Sequence, residues 1–507
     1  MSDVYMPGVK SRFNSEKIIE DLMKIERLPK ERTEKDIESF EDRKIWWQDL
    51  GQRVKSLRES AQTLFSFQNA FNERVAVSSN ESVMTATATR VAGEGEYQLT
   101  VKQLAQADRF LSPPLDEKTP IEAGSYTFAV GKETVSVDFK GGSLKEFADA
   151  LNRRGRGVIG TSFITVQPGS KSLLMESKIT GAENHMVFSD GFALLGEQLG
   201  ITEVADYGSD AGKNAFKTIS AAQDAVIAME GVEITRPSNK IDDIIPGVTV
   251  TARGVSERPE RLEVQSDRQG VKDSIFSLVA NYNRLMAELN ILTARSMSSS
   301  RFETHADESI VNELTYLSAD EAAEMKKRLG AFSGDSTLVQ YRTNLMRAMS
   351  SPYPTDEEQE LAMLAQIGIG TNARGSNSGY NPARMRGYLE VDEKALDTAI
   401  EQHLPAIRQL FASDTDGDLL ADTGIAFNLD ALARPFVDTG GIISLKTGTL
   451  DSKISQDKRR IDTMERQLAA KEADLKIQYG RMESAYDRME KMSSSLDNFS
   501  QQNSKSR

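Results

Sequence analysis

The chain has 507 residues, of which 39% are apolar, and a formal net charge of −14. This length allows about three or four domains. The negative charge disfavours binding to nucleic acid or to an anionic membrane, because both require a basic face. The sequence contains no run of 18 apolar residues, so no membrane span is predicted.

The N-terminal stretch predicts helices. Residues 1–13 are polar and lack the apolar core of a signal peptide, which predicts a cytoplasmic protein unless a route without cleavage exports it. We expect a short amphipathic helix to end at Pro29, since proline lacks the N–H needed within a helix. A long helix follows, with apolar residues three, four or seven apart: Ile37, Phe40, Trp47, Leu50, Val54, Leu57, Ala61, Leu64 and Phe71.

The only two tryptophans, Trp46 and Trp47, are adjacent in this long helix. Neighbouring helix positions lie about 100° apart, so one of them can face the packing seam while the other faces outward. Simple packing explains the pair, and a contact between subunits is the functional alternative, because tryptophan is enriched at interfaces.

The middle of the chain predicts β-structure. Small and β-branched residues alternate over 75–89, and one buried face is predicted over 95–104. Prolines at 113, 114 and 120 indicate a linker before strands at 124–130 and 134–139, a helix at 144–153 and strands at 158–166 and 172–176. The strand pattern returns at 225–235, 246–253 and 261–265.

Helical periodicity resumes at Val271, followed by a polar loop at 295–308. Further helices are predicted at 309–329, 335–350, 392–403, 405–411 and 425–437, with a short strand at 388–391.

The last fifty residues carry a seven-residue repeat. Its seven positions are all apolar: Ile454, Ile461, Leu468, Leu475, Met482, Met489 and Leu496. A strict repeat of seven keeps one stripe of a helix facing a partner, as in a left-handed coiled coil. The long N-terminal helix has a matching length, with Trp47, Leu50, Val54, Leu57 and Leu64 on its side of the seam. We therefore expect the two ends to pair as a stalk; two separate helices, each packed on its own domain, are the alternative.

These elements predict an α+β multidomain protein. Its N- and C-terminal helices form a coiled-coil stalk or helical bundle, and nested β-rich domains are inserted between them. We expect five parts: an N-terminal segment and stalk helices at 1–75, a discontinuous β-rich domain at 76–112 and 225–268, a second β-rich domain at 113–224, a helical head domain at 269–444, and the C-terminal coiled coil at 445–507.

No catalytic, cofactor or metal site is predicted. The histidines His185, His305 and His403 lie in separate segments without a nucleophile and an acid nearby. The acidic stretch 414–424 resembles a calcium loop, but Leu419 and Ile425 occupy the positions where an EF-hand needs glycine and glutamate. The glycines of 368–375 lack the lysine of a phosphate-binding loop.

Several collinear segments resemble the flagellar hook-associated protein 2 family, the filament caps of bacterial flagella. They are NSEKIIEDLMKIERLP at 14–29, WWQDL at 46–50, SSN at 78–80, TATAT at 85–89, GEYQLTVKQLAQAD at 95–108, LKEFADALN at 144–152, EGVEITRPSNKIDDIIPGVTV at 230–250, IGIG at 367–370, GYLEVDEKAL at 387–396 and GDLLAD at 417–422. The unit at 124–160 resembles a flagellin-type insertion motif, and the heptad tail completes a resemblance that covers nearly the whole chain.

The resemblance implies a structural cap at the filament tip that promotes addition and folding of exported flagellin. It implies a homo-oligomeric ring, with a pentamer expected, and contacts with flagellin, hook–filament junction proteins and an export chaperone. It also implies secretion by the flagellar type III route, to a filament outside the cell or in the periplasm. A hook–filament junction protein and a coiled-coil adhesin are the alternatives; a secreted hydrolase is the weakest.

Overall fold

The computed structural model describes residues 14–67, 69–167, 170–188, 195–196, 198, 204–205, 216–294, 296–300, 303–306, 308–356, 361–371, 386–418 and 420–504. The chain forms two compact units. One unit combines residues 1–69 with 271–507, and the other consists of residues 70–270. The five domain boundaries expected from the sequence stay a prediction.

The helices of the described residues are α1 Ser15–Phe65, α2 Leu144–Arg154, α3 Arg268–Leu292, α4 Ser309–Asn312, α5 Ala319–Lys327, α6 Ser336–Ser350, α7 Glu393–Phe411, α8 Ile425–Val437 and α9 Ile442–Ser504. Short 3-10 turns cover Ala70–Asn72 and Leu364–Ile367.

The strands are β1 Arg74–Ser78, β2 Met84–Ala88, β3 Gly95–Gln103, β4 Arg109–Leu111, β5 Pro120–Val130, β6 Glu133–Ser143, β7 Ile159–Gln167, β8 Ser170–Ser177, β9 Met186–Phe188, β10 Val204–Ala205, β11 Phe216–Ser220, β12 Ala225–Met229, β13 Val232–Arg236, β14 Lys240–Ile245, β15 Val248–Ala252, β16 Glu260–Ser266, β17 Ser296–Ser300, β18 Glu303–Ala306, β19 Ile369–Thr371 and β20 Leu389–Val391. With the terminal helices, they confirm the predicted α+β multidomain class.

The β-rich unit contains two modules, each with its own apolar core. The split module comprises strands β1–β3 and β12–β16. Its two sheets have the strand orders β1-β16-β3-β12-β13 and β14-β15-β2, and they enclose a core that includes Leu99, Ile227 and Val250. Alternating burial in β15, where Val248, Val250 and Ala252 face inward, shows why the period-two pattern predicted this strand.

The inserted module comprises β4–β11 and α2. Its sheets have the orders β10-β11-β4-β8-β7 and β6-β5-β9, and Phe147 of α2 packs with Tyr126 and Phe128 of β5 in the core. A capping box begins α2: the Ser143 hydroxyl accepts from the Glu146 N–H, and the Glu146 carboxylate accepts from the Ser143 N–H. This cap explains why the sequence located the helix accurately.

Three local predictions were wrong. Pro29 does not end a helix, because α1 runs through it from Ser15 to Phe65. Pro29 is exposed, so water can satisfy the carbonyl group that loses its donor, and the Thr33 hydroxyl donates to the Pro29 carbonyl at 3.0 Å. The polar loop at 295–308 contains the strand pair β17 and β18. The stretch 309–329 holds two short helices, α4 and α5, instead of one.

The two helices predicted at 392–403 and 405–411 are confirmed as the two halves of α7, which meet at a kink at His403, where φ is −130°. Pro405 accounts for the kink, since it cannot donate to the carbonyl four residues earlier. Among the described residues, no helix combines the length and apolar content needed to cross a bilayer.

Candidate interaction site on the paired terminal helices

Helices α1 and α9 lie side by side and antiparallel. Lys30 Nζ is 2.6 Å from Glu465 Oε1, and Lys44 Nζ is 2.6 Å from Asp451 Oδ1, so residue numbers rise along one helix as they fall along the other. The Glu465 carboxylate raises the pKa of Lys30. The pairing of the two chain ends predicted from the sequence is confirmed, and the alternative of two separately packed helices is wrong.

The N-terminal residues predicted for the seam are all buried. Trp47 is 3% exposed, and Leu50, Val54, Leu57 and Leu64 are fully buried. They lie in the part of α1 that is packed by α8 and by the first turns of α9, which we call the root of the pair. Because this chain itself covers these five side chains, their proposed role in contacts between copies stays a prediction.

Trp47 makes two ring contacts at the root. Its ring stacks on Phe332 with centroids 4.8 Å apart, and the Lys446 ammonium group lies 5.2 Å from the ring centroid. Trp46 touches the edge of the same phenylalanine at 6.4 Å. The tryptophan pair therefore has the packing role that the sequence suggested, and both rings share one partner.

The C-terminal heptad positions become more exposed along α9. Ile454 is buried, whereas Ile461, Leu468 and Leu475 are half-buried. Met482 is 47% exposed, and Met489 and Leu496 are each 66% exposed. The seam predicted from the sequence therefore contacts α1 only over its first four positions.

The increasing exposure of the heptad positions along α9 has a geometric cause. Up to Leu468 the covered residues are spaced by four and three alternately, but beyond it the covered face continues through Glu472, Leu475, Tyr479 and Glu483. A helix of 3.6 residues per turn drifts about 20° per heptad unless it supercoils. The contact face follows this drift, while the apolar repeat of the sequence keeps a spacing of seven and moves into solvent at Met482.

A buried carboxylate fixes the root. Asp430 of α8 is completely buried, and it accepts from Arg58 Nε at 2.9 Å, Gln62 Nε2 at 3.0 Å and Arg434 Nε at 2.6 Å. Arg58 also donates to Asp438, which follows α8, at 2.6 Å. Sequence reasoning missed this network, because Arg58 and Asp430 are separated by 372 positions.

A second ion pair joins α9 to the N-terminus of α6. The Asp335 carboxylate accepts from the backbone N–H groups of Thr337 and Leu338 and lies 2.9 Å from Lys446 Nζ. Burial raises the pKa of Asp335, but the Lys446 ammonium group and the two N–H groups together outweigh this effect, so the pKa lies below its usual value. The root is thus fixed by charges as well as by apolar contacts.

We call the opposite end of the helix pair, where α1 begins at Ser15, the free end. Ser15 Oγ donates to Glu483 Oε1 at 2.5 Å, and both residues are buried. A recess of about 390 Å³ beside this bond is lined in part by Ile19, Met23 and Tyr479. Residues 484–504 of α9 continue past the level at which α1 begins.

Apolar side chains are exposed on both helices at the free end. Residues at helical spacing on α1 and on α9 share this property: Ile18, Leu22, Ile25, Leu28, Met482, Tyr486, Met489, Met492 and Leu496. An exposed apolar stripe of this kind marks an interaction site on a protein that is otherwise polar. The free end is therefore the candidate interaction site of this unit.

The residues with possible chemistry lie elsewhere. His185 Nδ1 is 3.3 Å from the buried Asp108, and His403 lies at the kink in α7. Asp414, Asp416 and Asp422 are exposed and place one carboxylate oxygen each within 4.8 Å of one another, the one such acidic group found among the described residues. Part of the glycine-rich stretch, from 372, falls outside the described residues, as do Leu419 and the side chain of His305.

Comparison with known families accounts for most of the chain. Residues 11–108 match the family model "Flagellar hook-associated protein 2 N-terminus", and residues 222–491 match "Flagellar hook-associated protein 2 C-terminus". The chain belongs to the flagellar hook-associated protein 2 family. The two matches include all of α1 and most of α9.

Individual members of this family are similar in sequence to this chain over most of its length. A flagellar hook-associated protein 2 of Treponema maltophilum is 29% identical over 92% of this chain and 94% of its own length. One from Treponema pallidum is 26% identical over 99% of both chains. The solved domains D1 to D3 of the flagellar cap protein of Escherichia coli share the fold, with a TM-score of 0.53 and 24% identity over 80% of this chain and 99% of that one. Membership of this family does not favour a hook–filament junction protein or an adhesin.

Proposed function

We propose that this chain caps the distal end of a bacterial flagellar filament, as a structural protein without enzymatic activity. Family membership supports the cap, and the exposed apolar stripe at the free end supports the way in which the cap engages the filament. The stripe has helical spacing, so a complementary partner is another amphipathic helix. The helical termini of flagellin, or of neighbouring cap subunits, have this chemistry.

The division of the helix pair into a root and a free end gives the proposed mechanism. The root needs no other molecule, because this chain covers Trp47, Leu50, Val54, Leu57 and Leu64 by itself. The free end leaves Met489 and Leu496 in water until a partner helix covers them. Burying an apolar side chain of this size contributes about 1.5–3 kcal/mol. Several such contacts hold a subunit at the filament end yet remain exchangeable as new flagellin is added.

We further propose that several copies form a ring, five being the number expected, and that the chain reaches the tip by flagellar type III export with the help of an export chaperone. On the filament the ring contacts flagellin, and before the filament grows it contacts the hook–filament junction proteins. Its location is the filament tip, outside the cell or in the periplasm. The net charge of −14 supports a function without nucleic acid.

The test is complementation of a strain that lacks the gene. The variant Met482→Asp/Met489→Asp/Leu496→Asp places charges on the stripe, and Ser494→Asp/Ser495→Asp/Asn498→Asp, at three exposed polar positions off the stripe, is the matched control on the same helix. We expect the wild-type gene and the control to restore filaments, whereas the stripe variant leaves unpolymerised flagellin in the medium. Intact filaments in the strain without the gene would contradict the cap function. Full restoration by the stripe variant would contradict only the engagement through the free end.

A further inference from the structure

The two modules of the β-rich unit are joined by two chain segments, residues 104–108 and 220–224, which we call the neck. The apolar core of the split module and that of the inserted module are separate clusters of residues. Two peptide segments alone would make a flexible joint between them. The contacts within the neck therefore decide whether the modules move independently.

The two segments of the neck are hydrogen-bonded to each other. Gln106 and Gln223 exchange both backbone hydrogen bonds, at 2.9 and 3.1 Å. The side chain of Gln223 donates to the Leu104 carbonyl at 2.9 Å, and that of Gln103 donates to the Asp224 carbonyl at 2.9 Å. These bonds prevent the two segments from twisting separately.

Asparagine and aspartate side chains attach the neck to both modules. Asn239 of the split module accepts from the Ala105 N–H and donates to the Ala105 carbonyl, both at 2.8 Å. Asp108 is 2% exposed, and its carboxylate accepts from the backbone N–H groups of Met186 and Ala222, both at 2.6 Å. Hydrogen bonds to a buried charged acceptor are among the strong ones, and they are directional.

A third connection leaves the inserted module from the loop after β8 and reaches both the split module and the neck. The loop after β8 reaches back to the split module, where the Thr180 hydroxyl donates to the Pro237 carbonyl at 2.6 Å. The Ala182 N–H donates to Asp224 Oδ1 at 2.6 Å. Gly181, with φ of +110°, lies against Pro237, and a Cβ atom added to it would be 2.5 Å from the proline Cβ.

We infer that the neck is a locked joint, which holds the split and inserted modules in one fixed orientation. The lock is polar: directional hydrogen bonds of Asp108, Asn239 and Thr180 fix an angle, whereas an apolar contact of the same size would permit sliding. For a cap subunit, and resting on the proposed function, a locked neck transmits a displacement of one module to the other instead of absorbing it.

The experiment is a distance measurement by electron spin resonance on the full chain. The chain has no cysteine, so nitroxide labels at Thr87→Cys in β2 and Asp149→Cys in α2 are unique. Both positions are exposed, and each lies on a regular element of a different module. The variants Asp108→Ala and Asn239→Ala each remove two of the side-chain hydrogen bonds that lock the neck. Asn152→Ala is the matched control, because Asn152 makes the same two bonds to the backbone of Thr161, at 2.6 and 2.9 Å, within the inserted module.

We expect one narrow distance distribution in the labelled wild-type chain and in Asn152→Ala, and a clearly broader one in Asp108→Ala and Asn239→Ala. Circular dichroism verifies that each variant is folded; if Asp108→Ala is not, the comparison of Asn239→Ala with Asn152→Ala decides. A broad distribution in the wild-type chain, or a narrow one in every folded neck variant, would overturn the inference. Neither outcome bears on filament capping, which the complementation assay measures separately.

Discussion

The root and the free end of the helix pair belong to the same two helices but are stabilised in different ways. At the root α1 packs against α8 and α9, and the apolar residues from Leu50 to Leu64 are fully buried. Towards the free end α1 has α9 as its neighbour, the ion pairs of Lys30 and Arg27 lie at the surface, and apolar side chains are exposed. The same two helices therefore have one region whose apolar side chains are covered by this chain itself and another region whose apolar side chains are left in water.

The difference between the two regions is tested most directly by the same leucine-to-alanine substitution in the root and nearer the free end. Leu57→Ala leaves a cavity in the packed root, and we expect a loss of about 4 kcal/mol in the free energy of unfolding. Leu468→Ala removes a half-buried side chain nearer the free end, and we expect a loss of about 1 kcal/mol. Urea unfolding followed by circular dichroism measures both. Equal losses would show that the two regions are packed alike.

Removal of a charged group should likewise lower the free energy of unfolding more inside the root than at the surface beyond it. Asp430→Ala leaves Arg58 and Arg434 without their buried carboxylate, and we expect a loss of about 3 kcal/mol. Asp451→Ala breaks the exposed pair with Lys44, for which we expect less than about 1 kcal/mol. The same unfolding measurement applies, and a larger effect at Asp451 would reverse our assignment of the stabilising charges.

Acid should weaken the root through Asp335. Its pKa in the folded chain lies below the ordinary value of 3.8, so its contribution to stability is fully present above that value. The contribution is lost as the pH falls through the lower folded pKa, when the carboxylate protonates and the pair with Lys446 ends. We expect Asp335→Asn to be less stable than the wild-type chain at pH 7, with the difference shrinking towards pH 3. A difference that is the same at both pH values would contradict this role.

The smallest effect is expected on the exposed stripe. Met489→Ala changes a side chain that is 66% exposed, and the free energy of unfolding of the isolated protein should stay within about 0.5 kcal/mol of the wild-type value. Thermal unfolding by calorimetry provides the check. A strong destabilisation would mean that Met489 is packed within the free protein, and the free end would then not be an open site.

The sequence predicted the class of the fold, the pairing of the chain ends and the capped helix α2, because these depend on local signals. Heptads, the alternation in β15 and the Ser143–Glu146 box all act over a few residues. The same signals overestimated how many heptad positions of α9 are covered by α1. An apolar repeat shows which residues share a stripe, but the drift of a real helix decides which of them meet a neighbour, and Met482 falls outside.

Long-range polar contacts could not be predicted at all. Asp430 and Asp108 are the buried carboxylates on which the root and the neck depend, yet in the sequence each is an ordinary acidic residue. Their partners Arg58, Met186 and Ala222 are distant in the chain, and nothing in a single sequence pairs them. The prediction that a helix ends at Pro29 failed for a related reason, because only the exposed position of this proline in the fold makes it compatible with a continuous helix.

Hydrogen exchange along α9, followed by mass spectrometry, tests the central claim most directly. In the isolated protein we predict slow exchange of the α9 backbone amides at the root, from Ile443 to Leu450, and fast exchange from 484 to 504. Addition of flagellin filaments should slow the exchange of the second segment only. Uniform slow exchange in the isolated protein, or no change in 484–504 on the filament, would contradict a free end that a partner helix completes.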